Sequence, residues 1–290
     1  MSTKKALLIG INYTGTVNKL RGCINDVQNI SSILTTNCGY LPANVRLLSD
    51  PEGVSVPVNL PTVANIKNGI QWLVSNNAPG TTLVFYYAGH GASIKDTSGD
   101  ETDGLDEVIV PLDYKKAGIL TDDWLFTNMV AKVTTGVNMW VFTDCCHSGT
   151  MVDLKYNCQS MCTLINPIPS PTSYNQTAWT EKFNITIERN KYTVQGNVYL
   201  MSGCKDSEKS VDAFLNAKFQ GAFTSCLIAC MKANMITDVV SKKTILPHGK
   251  LKLRNVLKEV NARLILNRYT GQNSQLSVDK LENLERTLDI

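Results

Sequence analysis

A chain of 290 residues, 43% of them apolar and 18% charged, has the make-up of a globular protein with a sizeable core, and one large α/β unit fits that length. Its net charge of +3 lacks the concentrated basic stripe that nucleic acid or a membrane surface requires, so neither is predicted as a partner. No apolar run is long enough to span a bilayer or form a secretory core, and nine cysteines in such a chain predict free thiols in the reducing cytoplasm.

Residues 6–11 are the first strand candidate. Cys23, Val27, Ile30 and Leu34 then recur at helical spacing, with Gly39 as the stop. Further strands are predicted at 45–48, 82–87, 107–111 and 139–143, with helices at 66–74 and 124–133. This alternation argues for a mostly parallel central sheet flanked by helices on both faces. From 149 to 195 neither periodicity survives, and proline-rich residues 165–173 lie inside, so a long exposed linker is predicted. Residues 197–201 restore a strand, followed by helices at 221–233 and 250–267. In the last, Leu253, Val256, Leu257, Val260 and Leu264 share one face, which reads the lysines and arginines as its solvated back. The expectation is one domain over 1–290, built from block 1–150, linker 151–195 and block 196–290.

Two motifs close predicted strands: Phe85-Tyr-Tyr-Ala-Gly-His90-Gly and Val141-Phe-Thr-Asp-Cys-Cys146-His-Ser-Gly149. Parallel sheets place ligand sites at the carboxyl ends of strands, so both should reach one edge. A thiol attacks a carbonyl when an imidazole takes its proton, which His90 can do for Cys146. The glycines beside His90 would leave room for a substrate backbone, and main-chain N–H groups around Gly91 and Cys146 are oxyanion candidates. Asp144 lies two residues before Cys146, on the same face by strand alternation, and Asp26 sits near the start of the first helix. Two carboxylates there would attract a cationic side chain, although Asp26 at a helix start is also stabilising by about 0.3–1 kcal/mol. Nine of the 25 acidic residues fall between Asp96 and Asp123; their spacing fits no EF-hand, and alone it favours a solvated acidic loop.

Tyr87-Ala-Gly-His-Gly91 and Asp144-Cys-Cys-His-Ser-Gly149 resemble the two catalytic motifs of the metacaspases, caspase relatives of plants, fungi and protozoa, and the resemblance runs from Lys5 to Ser277. The separation, 146 − 90 = 56 residues, is near the roughly 50 of the caspase arrangement. The likeness is to type I members, without a prodomain before Lys4. It implies a caspase-like (caspase-hemoglobinase) fold and a cysteine endopeptidase with Cys146, which directly precedes His-Ser-Gly, as nucleophile and His90 as its partner. Cys145 then becomes a core neighbour. It further implies that Asp26 (in Gly22-Cys-Ile-Asn-Asp26) and Asp144 line an S1 pocket for arginine or lysine, making peptides with a basic P1 residue the substrates. Activating Ca²⁺ would be held by Asp106, Asp122, Asp123 and Asp153, and the chain would be a monomer. Ala88 departs from the pattern, since the family often has serine there. Lys155, Lys182, Arg189 and Lys191 are candidate self-cleavage positions. A catalytically silent caspase-like interaction protein and a paracaspase-like relative are the competing readings.

Overall fold

A computed structural model describes residues 3–52, 59–97, 99, 104–146, 148–164, 179–188, 193–204, 212–215, 218–269 and 271–290. In chain order the first half runs β1 (Lys4–Gly10), α1 (Cys23–Asn37), β2 (Val45–Ser49), α2 (Val63–Val74), β3 (Thr82–Ala88), β4 (Gly91–Lys95), β5 (Leu105–Ile109), α3 (Tyr114–Ala117), β6 (Leu120–Thr121), α4 (Asp122–Asn128) and β7 (Asn138–Asp144). The second half continues with β8 (Tyr156–Leu164), β9 (Trp179–Ile187), β10 (Asn197–Ser202), β11 (Asp212–Leu215), β12 (Lys218–Gly221), α5 (Ala222–Ala233), β13 (Ile236–Thr237), β14 (Thr244–Ile245), α6 (Leu253–Leu266) and β15 (Gln275–Val278).

Eight strands form the central sheet in the order β2-β1-β3-β7-β10-β15-β8-β9. The first five are mutually parallel, as the strand–helix alternation requires, while β15, β8 and β9 each pair antiparallel. Strand β3 is buried along its whole length, the pattern of a strand covered on both faces. Its Val84, Tyr86 and Ala88 join one core with α1, α5 and α6, and Leu83, Phe85 and Tyr87 join the other with α2 and α4. Helix α1 buries Cys23, Val27, Ile30 and Leu34, the predicted stripe, together with Ile33. Helix α2 starts three residues earlier than predicted, because the Thr62 side chain accepts a hydrogen bond from Asn65 N and caps it. Helix α4 is shorter than predicted, ending at Asn128 before a separate 3-10 turn at Val130–Lys132.

The linker expectation needs correction. Residues 156–164 and 179–187 form a nine-residue antiparallel pair that extends the sheet by two strands. Their sequence hides this because the buried positions of β8 include Asn157, Cys158 and Ser160, and most of β9 is exposed as the edge. Polar contacts replace the missing apolar stripe: Ser160 Oγ donates to Glu181 at 2.5 Å, and Asn261 Nδ2 of α6 donates to Ser160 O at 3.3 Å. The proline-rich residues, Arg189 and Lys191 lie outside the described residues. No helix among the described residues is long and apolar enough to cross a membrane.

Candidate active site

Strands β3 and β7 are adjacent and in parallel register, with Ala88 opposite Asp144. His90 and Cys146 each follow the last paired residue of their strand by two positions, at the carboxyl edge of the sheet. The chains approach closely there: a Cβ on Gly91 would lie 2.1 Å from Cys146 O and 3.2 Å from Cys145 Sγ. A Cβ on Gly89 would lie 2.7 Å from the Tyr87 hydroxyl and 3.2 Å from that of Tyr13. Both glycines therefore make room for the site's own framework, a reason different from the substrate access expected of them.

His90 is held on several sides. Its Nε2 lies 2.7 Å from Asn18 O, and since a carbonyl only accepts, Nε2 carries the proton and a neutral ring keeps Nδ1 free to exchange one. The Tyr13 ring packs against the imidazole with centroids 4.5 Å apart. Both His90 and Cys146 are half-buried, within reach of solvent. Cys145, by contrast, packs in the core with Tyr87, Phe85 and Val141, and burial pushes its thiol well above the ordinary range. Buried Cys204 donates to Cys145 O at 3.0 Å, and burial pushes this thiol up to about 12. The two neighbours of the predicted nucleophile thus stay protonated at neutral pH. His147 lies outside the described residues, and His248 lines a groove with Thr3 and Lys4, at the opposite edge of the sheet.

The two predicted pocket carboxylates meet at Gly221. Asp26 Oδ2 accepts from Gly221 N at 2.8 Å, and a Cβ on that glycine would fall 2.1 Å from Asp144 Oδ2 and 3.0 Å from Asp26 Oδ2. Asp144 Oδ2 also accepts from Thr224 N at 2.9 Å and Thr224 Oγ1 at 2.7 Å. Thr224 is the third residue of α5, whose N-terminal N–H groups have no partner within the helix, so the strand β7 carboxylate caps it from outside. The Tyr86 hydroxyl, buried 2.6 Å from Thr224 Oγ1, completes the chain of contacts. With the threonine proton on Asp144, Tyr86 is the donor of that last bond. Sequence reading missed Gly221, Thr224 and Tyr86, although Gly221-Ala-Phe-Thr ahead of an apolar helical run marks a helix start. Asp26 lies in the first turn of α1, so the helix-charge role and the pocket position coincide. Ala88 is buried directly across from Asp144.

The predicted calcium residues are distributed over three places. Asp106 is on β5, Asp122 and Asp123 open α4, and Asp153 follows Cys146 in a left-handed conformation (φ 46°). The solvated acidic loop suggested by spacing does not describe them, for Asp106 and Asp122 are buried. Burial raises the Asp122 carboxyl well above its ordinary value, with the Asp106 and Asp123 charges adding to the rise against main-chain bonds from Asp123 and Glu107. Crowded carboxylates of this kind suit a hard divalent cation chemically. Among the described residues, however, no group of three or more acidic, histidine or cysteine side chains stands in a metal-holding arrangement.

A half-buried cysteine and histidine at adjacent carboxyl strand ends, beside two inward carboxylates, define a caspase-like thiol site. Comparison with known proteins gives it a family. The profile for "Metacaspase, peptidase C14 domain" matches residues 4–155. Metacaspase-1 of Candida glabrata is 37% identical over 254 residues, 79% of this chain and 64% of that protein. Metacaspase-1 of Botryotinia fuckeliana is 37% identical over 258 residues, 80% of this chain and 61% of that protein. The chain belongs to the metacaspase family, and its match spans somewhat less than two thirds of these relatives' length. A crystal structure of a protein from Geobacter sulfurreducens shares the fold, with a TM-score of 0.63 at 23% identity, covering 99% of this chain and 98% of that one.

Proposed function

We propose that the protein is a cysteine endopeptidase that cleaves after arginine or lysine. The observation that supports the reading is the parallel β3–β7 register, whose two strands end just before His90 and Cys146, with Gly91 packed on Cys146 O, while Asp144 of β7 meets Asp26 at Gly221. In the reaction, His90 takes the Cys146 proton and the thiolate forms a bond to the scissile carbonyl carbon, pushing its electron pair onto oxygen. Main-chain N–H groups at Gly91 and Cys146 are the candidates to hold that oxyanion. As the C–N bond breaks, His90 returns the proton to the leaving amine. Water, deprotonated by His90, then cleaves the thioester and releases the acid with the thiol restored. The Asn18 carbonyl on Nε2 keeps the ring in one tautomer and stabilises the imidazolium. Asp26 and Asp144 select the basic P1 side chain, a charge pairing strengthened by their burial.

Calcium activation is the second part of the proposal. Asp106, Asp122, Asp123 and Asp153 would hold the ion, which would supply charge neutralisation among the crowded carboxylates. The chain is further proposed to act as a monomer, and Lys155 and Lys182, both exposed, are positions where it would cut itself.

Fluorogenic peptides ending in Arg, Lys or Asp, with and without calcium, test the reading on the wild type and Cys146→Ala. Calcium-stimulated cleavage after Arg and Lys, lost in the variant, is expected. Cleavage after Asp would overturn the pocket assignment, and no cleavage of any peptide would favour a silent interaction protein.

A further inference from the structure

Both main-chain polar groups of His90 are held by tyrosine hydroxyls. His90 N donates to the Tyr13 hydroxyl at 2.9 Å, and the Tyr87 hydroxyl donates to His90 O at 2.7 Å. The Tyr13 hydroxyl donates in turn to Val110 O at 2.6 Å, while Val110 N donates to the Tyr87 hydroxyl at 3.2 Å. Each phenol has one proton, so the two oxygens, 3.3 Å apart, are committed outward and lock His90 to the residue that follows β5. Gly89 is the space the clamp needs, since a side chain there would strike both hydroxyls.

Tyr13 does more than hold the main chain. Its ring lies against the imidazole at 4.5 Å and 35°, and its own loop supplies Asn18, whose carbonyl takes Nε2. Its backbone is left-handed at φ 50°, a conformation a bulky residue adopts only where its surroundings impose it. Burial keeps the phenol protonated, so its donor bond to Val110 persists across the working pH range.

We propose that Tyr13 is a positioning residue for His90: its ring fixes the imidazole plane and its hydroxyl, paired with that of Tyr87, fixes the main chain from which the ring reaches Cys146. This deepens the endopeptidase reading and rests on His90 being the proton-transfer partner. Tyr13→Phe keeps the ring and removes the hydroxyl; Tyr13→Leu removes both; Tyr87→Phe removes the second hydroxyl only.

The test measures kcat and KM on an Arg peptide alongside the pH dependence of Cys146 alkylation by iodoacetamide. Tyr13→Phe should lower kcat on the order of tenfold, as one net hydrogen bond does, with KM within about twofold. Tyr13→Leu should lower it about 100-fold, the scale of a misplacement of about 1 Å in a catalytic group. In each, the alkylation midpoint should move upward, because a thiolate loses stabilisation when the imidazolium beside it is displaced. A purely structural role would lower the melting temperature and leave the midpoint in place, and that result overturns the proposal, as does a folded Tyr13→Phe with unchanged kcat and midpoint. Should Tyr13→Leu fail to fold, the two phenylalanine variants decide. A wild type that cleaves no peptide would sink the endopeptidase reading, and the alkylation midpoints alone would then decide the positioning claim.

Discussion

Replacing Gly221 with alanine should disable the proposed P1 pocket without touching the thiol. The backbone tolerates the change, since φ −66° and ψ 136° are open to any residue. The methyl, however, would sit 2.1 Å from Asp144 Oδ2 and 2.7 Å from its Cγ, where ordinary contact begins at 3.4 Å. The carboxylate must retreat by 3.4 − 2.1 = 1.3 Å, enough to break or stretch its bonds of 2.9 Å and 2.7 Å to Thr224. Hydrogen bonds to a charged acceptor are worth about 1.5–3 kcal/mol each. Losing the equivalent of one in the substrate complex corresponds to a roughly 10- to 100-fold fall in kcat/KM for an Arg peptide. Steady-state kinetics reads this, with the melting temperature and the Cys146 alkylation rate measured in parallel. The alkylation rate should stay within twofold of wild type, because Gly221 packs on the carboxylates and not on the thiol. Wild-type kcat/KM with an unchanged melting temperature would show that the carboxylates do not converge on Gly221, and the pocket argument would fall with it.

Asp26→Asn combined with Asp144→Asn keeps the shapes and removes both charges; preference for Arg over an isosteric neutral P1 should fall at least about 100-fold in kcat/KM, the scale of two desolvated charge pairs. Asp122→Asn with Asp123→Asn should abolish the calcium response while calcium-free circular dichroism and melting stay as in wild type; undiminished calcium activation would refute the ligand assignment. At pH 7 a limiting dose of iodoacetamide, followed by peptide mapping, should modify Cys146 and spare Cys145 and Cys204. Burial raises those two thiols, so their thiolates become appreciable only as pH climbs toward those elevated values. Asn261→Leu strips Ser274 N and the Ser160 and Ser274 carbonyls of their side-chain partner, and denaturant unfolding should show a loss of about 1–3 kcal/mol for each buried group left unpaired.

What the sequence disclosed depended on whether a residue's role follows from its neighbours in the chain. The parallel core was legible because β1, β3 and β7 are buried on both faces and read as apolar runs of strand length. His90 and Cys146 were legible because each ends such a run among small residues. Strands β8 and β9 were not, since the buried positions of β8 include asparagine and serine, and the contacts that hold Ser160, its Oγ to Glu181 on β9 and its main-chain O to Asn261 on α6, lie 21 and 101 residues away, where no local period encodes them. Thr224 was missed for the same reason: its partner Asp144 is 80 residues away. Asp26 and Asp144 were assigned to one pocket from edge position and family likeness, and the glycine that forces them together appeared only in three dimensions.

Strand alternation carries these roles to opposite sides of the sheet. Asp144, Tyr86 and Ala88 belong to the side covered by α1 and α5, where Asp26 and Thr224 wait; Cys145, Tyr87 and Tyr13 belong to the side covered by α2 and α4. The proposed charge selection and the proposed imidazole positioning would therefore be built on separate cores that meet at the strand ends. The adjacent pair Cys145-Cys146 makes the consequence visible. A one-residue slip of β7 would turn Cys146 into the core and Asp144 away from Thr224, exchanging every assignment at once. The β3–β7 register, seven residue pairs in line from Thr82 to Ala88 and buried on both strands from Leu83 onward, holds that slip out. The side of the sheet that each of these residues occupies thus rests on the same buried contacts that define the fold.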